Sequence, residues 1–351
     1  MNMSAPKGSA RKHLIALVGF GHVAHGLCKI LLEKRDLLKR EHQFEFEIVA
    51  VSTRSRGTMF HPAGLSLSYL NYLTQNVTPF VENVKDWDAE DMIRESNATV
   101  VIELAHSNLV DAEPALTHCR TAFKTGKHII SANKGPAALA YSEMKTLARK
   151  RGCAFLNEAT VLSGTPAISF FRNSLKGNLV SGVRGILNGA TNFILSEMES
   201  GSGYDEAIQQ AEKMGYLEAD KTADVNGTDT QAKLAILANE LFDLTIDLAD
   251  ISREGISAIT QVHIEDARRE GKRWKLVATL STGGDKTVAQ VMPEKLALSD
   301  PLTQVNGSMN AITFSTDLLG DVTITGPGAG GNETGYAVLS DLLTLNTGVY
   351  S

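Results

Sequence analysis

A short apolar run at residues 13–18 (HLIALV) stops at Gly19, and the pattern then changes to a helix with Val23, Leu27, Ile30 and Leu31 on one face. A strand period giving way to a helix period across a glycine turn is the opening of a parallel α/β unit. The turn itself reads Gly19-Phe20-Gly21-His22-Val23-Ala24, with the spacing G-x-G-x-x-A. The first glycine permits a tight turn, the second lets backbone approach a pyrophosphate, and the small Ala24 lets the helix pack on the strand. Unsatisfied N–H groups at the helix start favour phosphate there. A glycine turn that merely joins two elements is the plainer reading, but the strand-turn-helix setting favours a dinucleotide site.

The alternation continues, with strands expected at residues 46–52, 99–105, 127–131 and 153–157 and helices near 109–125 and 137–151. It predicts a Rossmann-type, doubly wound parallel sheet over residues 1–157. Beyond 158, helices at 165–175, 192–199, 205–213 and 229–241 precede strand-like stretches at 275–281, 311–315 and 322–325. This predicts an α+β domain over residues 158–327. A glycine-rich run at 326–331 opens a last helix, 337–345, and residues 328–351 are expected to pack back on the first domain.

The second strand ends Ser52-Thr53-Arg54-Ser55-Arg56, without the acid that binds a ribose 2′-hydroxyl in NAD enzymes. Hydroxyls and Arg54 suit a 2′-phosphate, which favours NADP, with NAD still possible; the alternative leaves Arg54 and Arg56 as solvated loop charges. Ala105, Lys134 and Gly328 complete the expected cofactor contacts.

A chain of 351 residues, 43% hydrophobic and 21% charged, has material for two modest domains. A net charge of -6 gives no reason to expect nucleic acid as a partner. No segment approaches the ~20 apolar residues of a membrane helix, and the polar start lacks the apolar centre of a secretory signal. Cys28, Cys119 and Cys153 are widely spaced and odd in number, which fits reduced thiols and a cytoplasmic location. No His/Cys cluster has zinc spacing.

Four segments in chain order, Ser131-Ala132-Asn133-Lys134, Asn157-Glu158-Ala159-Thr160-Val161, residues 185–195 (GILNGATNFIL) and residues 215–238 (GYLEADKTADVNGTDTQAKLAILA), resemble homoserine dehydrogenases. With the nucleotide turn and the terminal glycine run, the resemblance covers nearly the whole chain. It implies a reversible, NAD(P)-dependent reduction of L-aspartate 4-semialdehyde to L-homoserine, in the biosynthesis of threonine, methionine and isoleucine. It also implies a homodimer and leaves no stretch for the regulatory domain that some members append, so threonine is expected to act at most as a substrate analogue. Lys221 where the family tends to have proline, Ala190 in place of threonine, and Leu162-Ser163 in place of glycines depart from the family pattern.

Asp229 and Lys233 are i and i+4 on one helix, a spacing that by itself suggests an ordinary surface salt bridge. Glu218, Asp220 and Asp224 in the preceding loop supply more carboxylates than one lysine needs, a cluster suited to a substrate ammonium group. The resemblance implies that Glu218 and Asp229 bind the amino acid, with Asp224 close by, while Lys233 serves the reacting oxygen. An ammonium beside that oxygen stabilises alkoxide charge and donates the proton. Lys134, after the fourth strand at the carboxyl edge of the sheet, is the second catalytic candidate.

The resemblance further implies sodium or another monovalent ion held by Glu158 and the main-chain carbonyls of Val161, Ser163 and Thr165, an all-oxygen set; a Glu158 that only caps the helix after Gly164 is the alternative. Two rival functions remain. A phosphorylating semialdehyde dehydrogenase needs a nucleophilic cysteine, whereas Cys28 and Cys119 fall inside expected helices and Cys153 starts an expected strand. A non-catalytic NADP-binding sensor has no need of Lys134, Glu218, Asp229 and Lys233 together.

Overall fold

The computed structural model describes residues 12–76, 78–217, 221–282 and 286–348. The chain divides into two compact units, one formed by residues up to Ala159 together with those from Gly331 onward, the other by Thr160–Gly330.

In the first unit β1 (Lys12–Val18) leads through the glycine turn into α1 (His22–His42) and β2 (Glu45–Thr53). There follow β3 (Gly57–Phe60), α2 (Leu67–Gln75), β4 (Val84–Lys85), α3 (Ala89–Glu95), β5 (Val100–Glu103) and α4 (Ala115–Lys124). The alternation ends with β6 (His128–Ser131), α5 (Lys134–Leu139), α6 (Tyr141–Arg151) and β7 (Phe155–Leu156). Among the described residues the strands form one sheet in the order β4-β3-β2-β1-β5-β6-β7. β2, β1, β5, β6 and β7 pair in parallel, as the alternation predicts. β3 and β4 add an antiparallel edge that the sequence reading did not contain. The central strand is covered on both sides: Ile15, Ala16 and Leu17 are inaccessible to solvent, which is why β1 reads as an unbroken apolar run.

The second unit runs α7 (Ala167–Ser174), β8 (Val180–Ile186), α8 (Gly189–Glu199), α9 (Tyr204–Lys213), α10 (Thr222–Val225) and α11 (Thr228–Phe242). β9 (Ser252–Arg253), α12 (Gln261–Arg269), β10 (Lys272–Ser281), β11 (Val288–Ala297), β12 (Met309–Thr316) and β13 (Gly320–Pro327) complete it. Its sheet has the order β13-β12-β8-β10-β11-β9 and is antiparallel except where β9 meets β11. α11 packs against α7, β10 and β11 and is buried around its whole circumference from Thr230 to Leu241.

The last helix, α13 (Gly331–Thr347), belongs to the first unit and lies along α1. The approach is close because glycines stand at the crossing. A Cβ at Gly26 would fall 2.0 Å from the Gly331 carbonyl oxygen, and one at Gly335 would fall 2.5 Å from the Leu27 nitrogen. Ala337, Val338, Leu339, Leu342 and Leu345 then join Leu27 and Leu31 in one apolar core. No described helix is long and apolar enough to cross a membrane.

Among the described residues, one charged side chain is fully buried within the second sheet: Lys275 of β10. Its Nζ donates to Asn192 Oδ1 at 3.0 Å and to the Val305 carbonyl at 2.7 Å. Asn192 in turn donates to the carbonyls of Val305, Gly307 and Met309, clamping that segment onto α8. Burial pushes the Lys275 ammonium down to about 8, opposed by the charge of Glu199 and assisted by that of Arg273. The folded value is depressed from an unfolded value of about 10.4, so the folded state favours the neutral amine. The stability this gives is complete above the unfolded value and is lost as pH falls through about 8. Urea titrations of wild type and Lys275→Met are therefore expected to diverge with pH. Between about pH 8 and pH 10 the wild type gains stability relative to the variant, by up to on the order of 3 kcal/mol; parallel curves would show that Lys275 does not titrate there.

Candidate active site

The acidic loop and the i, i+4 pair meet at the N-terminal end of α11. Gly227, at φ 83°, turns the chain from α10 into α11 and so brings Asp224 and Asp229 near each other. Lys233 Nζ lies 2.8 Å from Asp229 Oδ2 and donates to the Leu187 carbonyl at 2.7 Å. Lys233 is only 7% exposed, so this is not the solvated helix pair that spacing alone suggests.

The residue that joins the carboxylates is one that sequence reasoning missed. Asn188 Nδ2 donates to Asp224 Oδ1 at 2.7 Å and to Asp229 Oδ2 at 3.0 Å. Its Oδ1 accepts the Thr191 amide at 2.9 Å, capping α8. The available signal was Asn188-Gly189-Ala190-Thr191 directly before a helical pattern, a cap sequence inside the GILNGATN segment. Glu218 and its neighbour Asp220 lie outside the described residues.

The departures from the family pattern have local structural consequences. Lys221 pairs with Glu212 at 2.7 Å. Ser163 takes φ 54°, the left-handed conformation that glycine adopts without the Cβ penalty. Ala190 is buried in the first turn of α8.

In the first unit the turn after β1 has the features of a phosphate cradle. Gly19, at φ 95°, sits so close to the segment after β5 that a Cβ would fall 2.8 Å from the Leu104 carbonyl. The position of Gly21 is open, with no atom within 4 Å of a Cβ placed there. No side chain caps α1 and its first turn carries no acid, so the N–H groups of His22, Val23 and Ala24 are left to an outside acceptor. Phe20 is buried against Phe80, and Arg56 lies over both rings at 5.5 and 4.7 Å. The Arg56 guanidinium also donates to the carbonyls of Leu73, Asn76 and Thr78. Arg56 is therefore an internal tie, contrary to its reading as a solvated charge, whereas Arg54 is exposed.

Lys134 is the first residue of α5 and is half-buried. Asn133 caps that helix through its Oδ1 to the Gly135 amide and donates to the carbonyls of Ala105 and His106. Glu158 opens a single 3-10 turn, is 4% exposed, and its amide donates to Asp341 Oδ2. Val161, Ser163 and Thr165 are also buried, and the Thr165 carbonyl accepts the Ala167 amide. Gly328 presses on the amide of Asn310, with 2.2 Å between a Cβ there and Asn310 Cγ. No group of three or more His, Cys, Asp or Glu placed to hold a metal exists among the described residues.

All three cysteines are buried. Desolvation pushes Cys28 up to about 12, and burial raises Cys119 and Cys153 as well. None has the depressed thiol that a thioester mechanism requires.

Known proteins resemble this chain over most of its length. Residues 19–158 match the family model for the homoserine dehydrogenase NAD binding domain, and residues 166–343 match that for homoserine dehydrogenase. An NAD(+)-dependent homoserine dehydrogenase of Pseudomonas canavaninivorans is 40% identical over 95% of this chain and 96% of its own. The crystal structure of a putative homoserine dehydrogenase from Archaeoglobus fulgidus superimposes with a TM-score of 0.85 at 31% identity, covering 95% of this chain and 99% of that one. A hyperthermophilic archaeal homoserine dehydrogenase mutant in complex with NADPH superimposes with a TM-score of 0.81 at 27% identity, covering 96% and 98%. The nucleotide turn, the Lys233 cluster and these likenesses lead to one assignment: the chain belongs to the homoserine dehydrogenase family.

Proposed function

We propose that the chain interconverts L-aspartate 4-semialdehyde and L-homoserine with a nicotinamide cofactor, NADP in preference to NAD, and that Lys233 is the proton-transferring group. The observation that carries this is the Lys233 ammonium, nearly out of solvent, 2.8 Å from Asp229, with Asn188 linking Asp229 to Asp224. When bound, the nicotinamide ring supplies or accepts the hydride. Asp229 orients Lys233, and Lys233 donates a proton to the developing alkoxide oxygen in reduction and takes it back in oxidation. Asp224, Asp229 and Glu218 balance the positive charge of the substrate amino group. Lys134 is assigned a second, supporting role in the chemical step.

The phosphate cradle of Gly19, Phe20, Gly21, His22, Val23 and Ala24, with Ala105, Lys134 and Gly328, is the proposed cofactor site. Arg54 is assigned to the 2′-phosphate because Arg56 is engaged internally. A monovalent cation, sodium by the family resemblance, is assigned to Glu158 and the carbonyls of Val161, Ser163 and Thr165; one carboxylate among neutral oxygens matches a single positive charge. The working form is taken to be a homodimer, as the resemblance implies, in the reducing cytoplasm that three widely spaced cysteines suit.

The direct test follows absorbance of the reduced cofactor with L-homoserine and each oxidised cofactor; no turnover with either would refute the proposal. Lys233→Met is expected to lower turnover by on the order of a hundredfold or more with NADPH binding retained, and near-normal turnover would remove its role. Asn188→Ala is expected to raise the KM for homoserine about tenfold and to lower thermal stability by about 1 kcal/mol through loss of the α8 cap; an unchanged KM would make Asn188 a cap alone. Arg54→Ala should reduce kcat/KM for NADPH while leaving that for NADH nearly unchanged. A wild type that prefers NADH, as the name of the Pseudomonas relative suggests for that enzyme, would take Arg54 out of cofactor choice.

A further inference from the structure

The first unit buries an ionisable pair to which the proposed chemistry assigns no task. Glu103, the last residue of β5, has no solvent exposure, and its Oε2 lies 2.7 Å from Nδ1 of His118 on α4, itself 6% exposed. Its Oε1 accepts the Ala105 amide at 2.8 Å. A carboxylate at this depth is costly unless each oxygen is satisfied, and a leucine would fill the space at no such cost. An ionised Glu103 accepts at both oxygens, which sets His118 as the donor through Nδ1.

The contacts lead outward from this pair in two directions. The Leu104 amide donates to Val18, and the Leu104 carbonyl lies against Gly19, so one side of the segment forms a wall of the nucleotide turn. On the other side the carbonyls of Ala105 and His106 receive Asn133 Nδ2, each at 3.1 Å, and Ser107 Oγ accepts the Lys134 amide at 3.0 Å. Residues 104–107 thus touch both the cradle and the backbone that carries Lys134, and Glu103 holds their inner end.

We propose that Glu103 and His118 form a positioning couple that sets residues 104–107, and through them Lys134, for the chemical step. The inference rests on the assignment of Lys134 to that step. Neither residue touches substrate or cofactor; both act through the segment they hold.

Four single variants and one double variant test it in the full-length enzyme. Glu103→Ala and His118→Leu are expected to lower kcat tenfold or more while the KM for homoserine changes less than threefold. Glu103→Gln can still accept from Ala105 and donate to the other imidazole tautomer, and should keep kcat within threefold of wild type. Lys134→Met defines the effect of the lysine alone, and in the double variant Glu103→Ala should lower kcat further by less than about threefold, since it acts through the same residue. If Glu103→Ala does not fold, His118→Leu in both backgrounds gives the same comparison. Equal losses of kcat in wild-type and Lys134→Met backgrounds, or no loss in either disruptive variant, would overturn the couple's role. So would a Glu103→Gln enzyme as impaired as Glu103→Ala. Wild-type turnover in Lys134→Met would instead overturn the assignment of Lys134, and with it any action exerted through that residue.

Discussion

Taking an ammonium group out of water costs several kcal/mol unless negative charge and hydrogen-bond acceptors surround it, and the second unit is organised around meeting that cost for Lys233. α11 is buried on all sides, so the lysine is satisfied within the fold, by Asp229 one turn earlier and by the Leu187 carbonyl. Asp229 is oriented by Asn188, and Asn188 is fixed because it caps α8. α8 is in turn clamped by Asn192 to the segment from Val305 to Met309, where Lys275 adds a bond from beneath. Removing any one of these groups strands the next, so the site and the stability of its scaffold are coupled.

The first unit solves the opposite problem. A phosphate site has to keep backbone donors unpaired and accessible, which folding ordinarily avoids. Gly19 allows the turn to lie flat against Leu104, Gly21 leaves space above it, and α1 starts without a side-chain cap. Arg56, stacked between aromatic rings and bonded to three carbonyls, stiffens the border of the cradle from within. The turn holds its shape because the elements around it are tied to each other and the Gly19 amide is bonded to the Ser52 carbonyl.

The parallel sheet, the nucleotide turn and the partnership of Asp229 with Lys233 were legible in the sequence because each rests on local spacing. β8 was not. Its sequence, VSGVRGI, carries two glycines and an arginine and lacks strand character. The glycines are needed only because neighbouring strands press close, a Cβ at Gly182 falling 2.5 Å from the Leu280 oxygen and one at Gly185 2.4 Å from the Ala311 oxygen. Arg184 is tolerated because Glu294 and Asp300, more than a hundred residues later, pair with it. β3 and β4 are too short to show a period, and Asn188 gains its two carboxylate partners only through tertiary packing. For β8 and Asn188, what the sequence hid was a requirement set by a distant segment.

The contact between α1 and α13 bears on the order in which the polypeptide becomes complete. The apolar side of α1 is made before the second unit, yet the helix that covers it is made only after the whole of that unit. At ribosomal rates of roughly 5–20 residues per second, that surface waits for on the order of ten seconds or more. During that interval Leu27 and Leu31 lack the α13 side chains that share their core. The nucleotide-binding unit is thus the last part of the fold to be completed, although it holds α1.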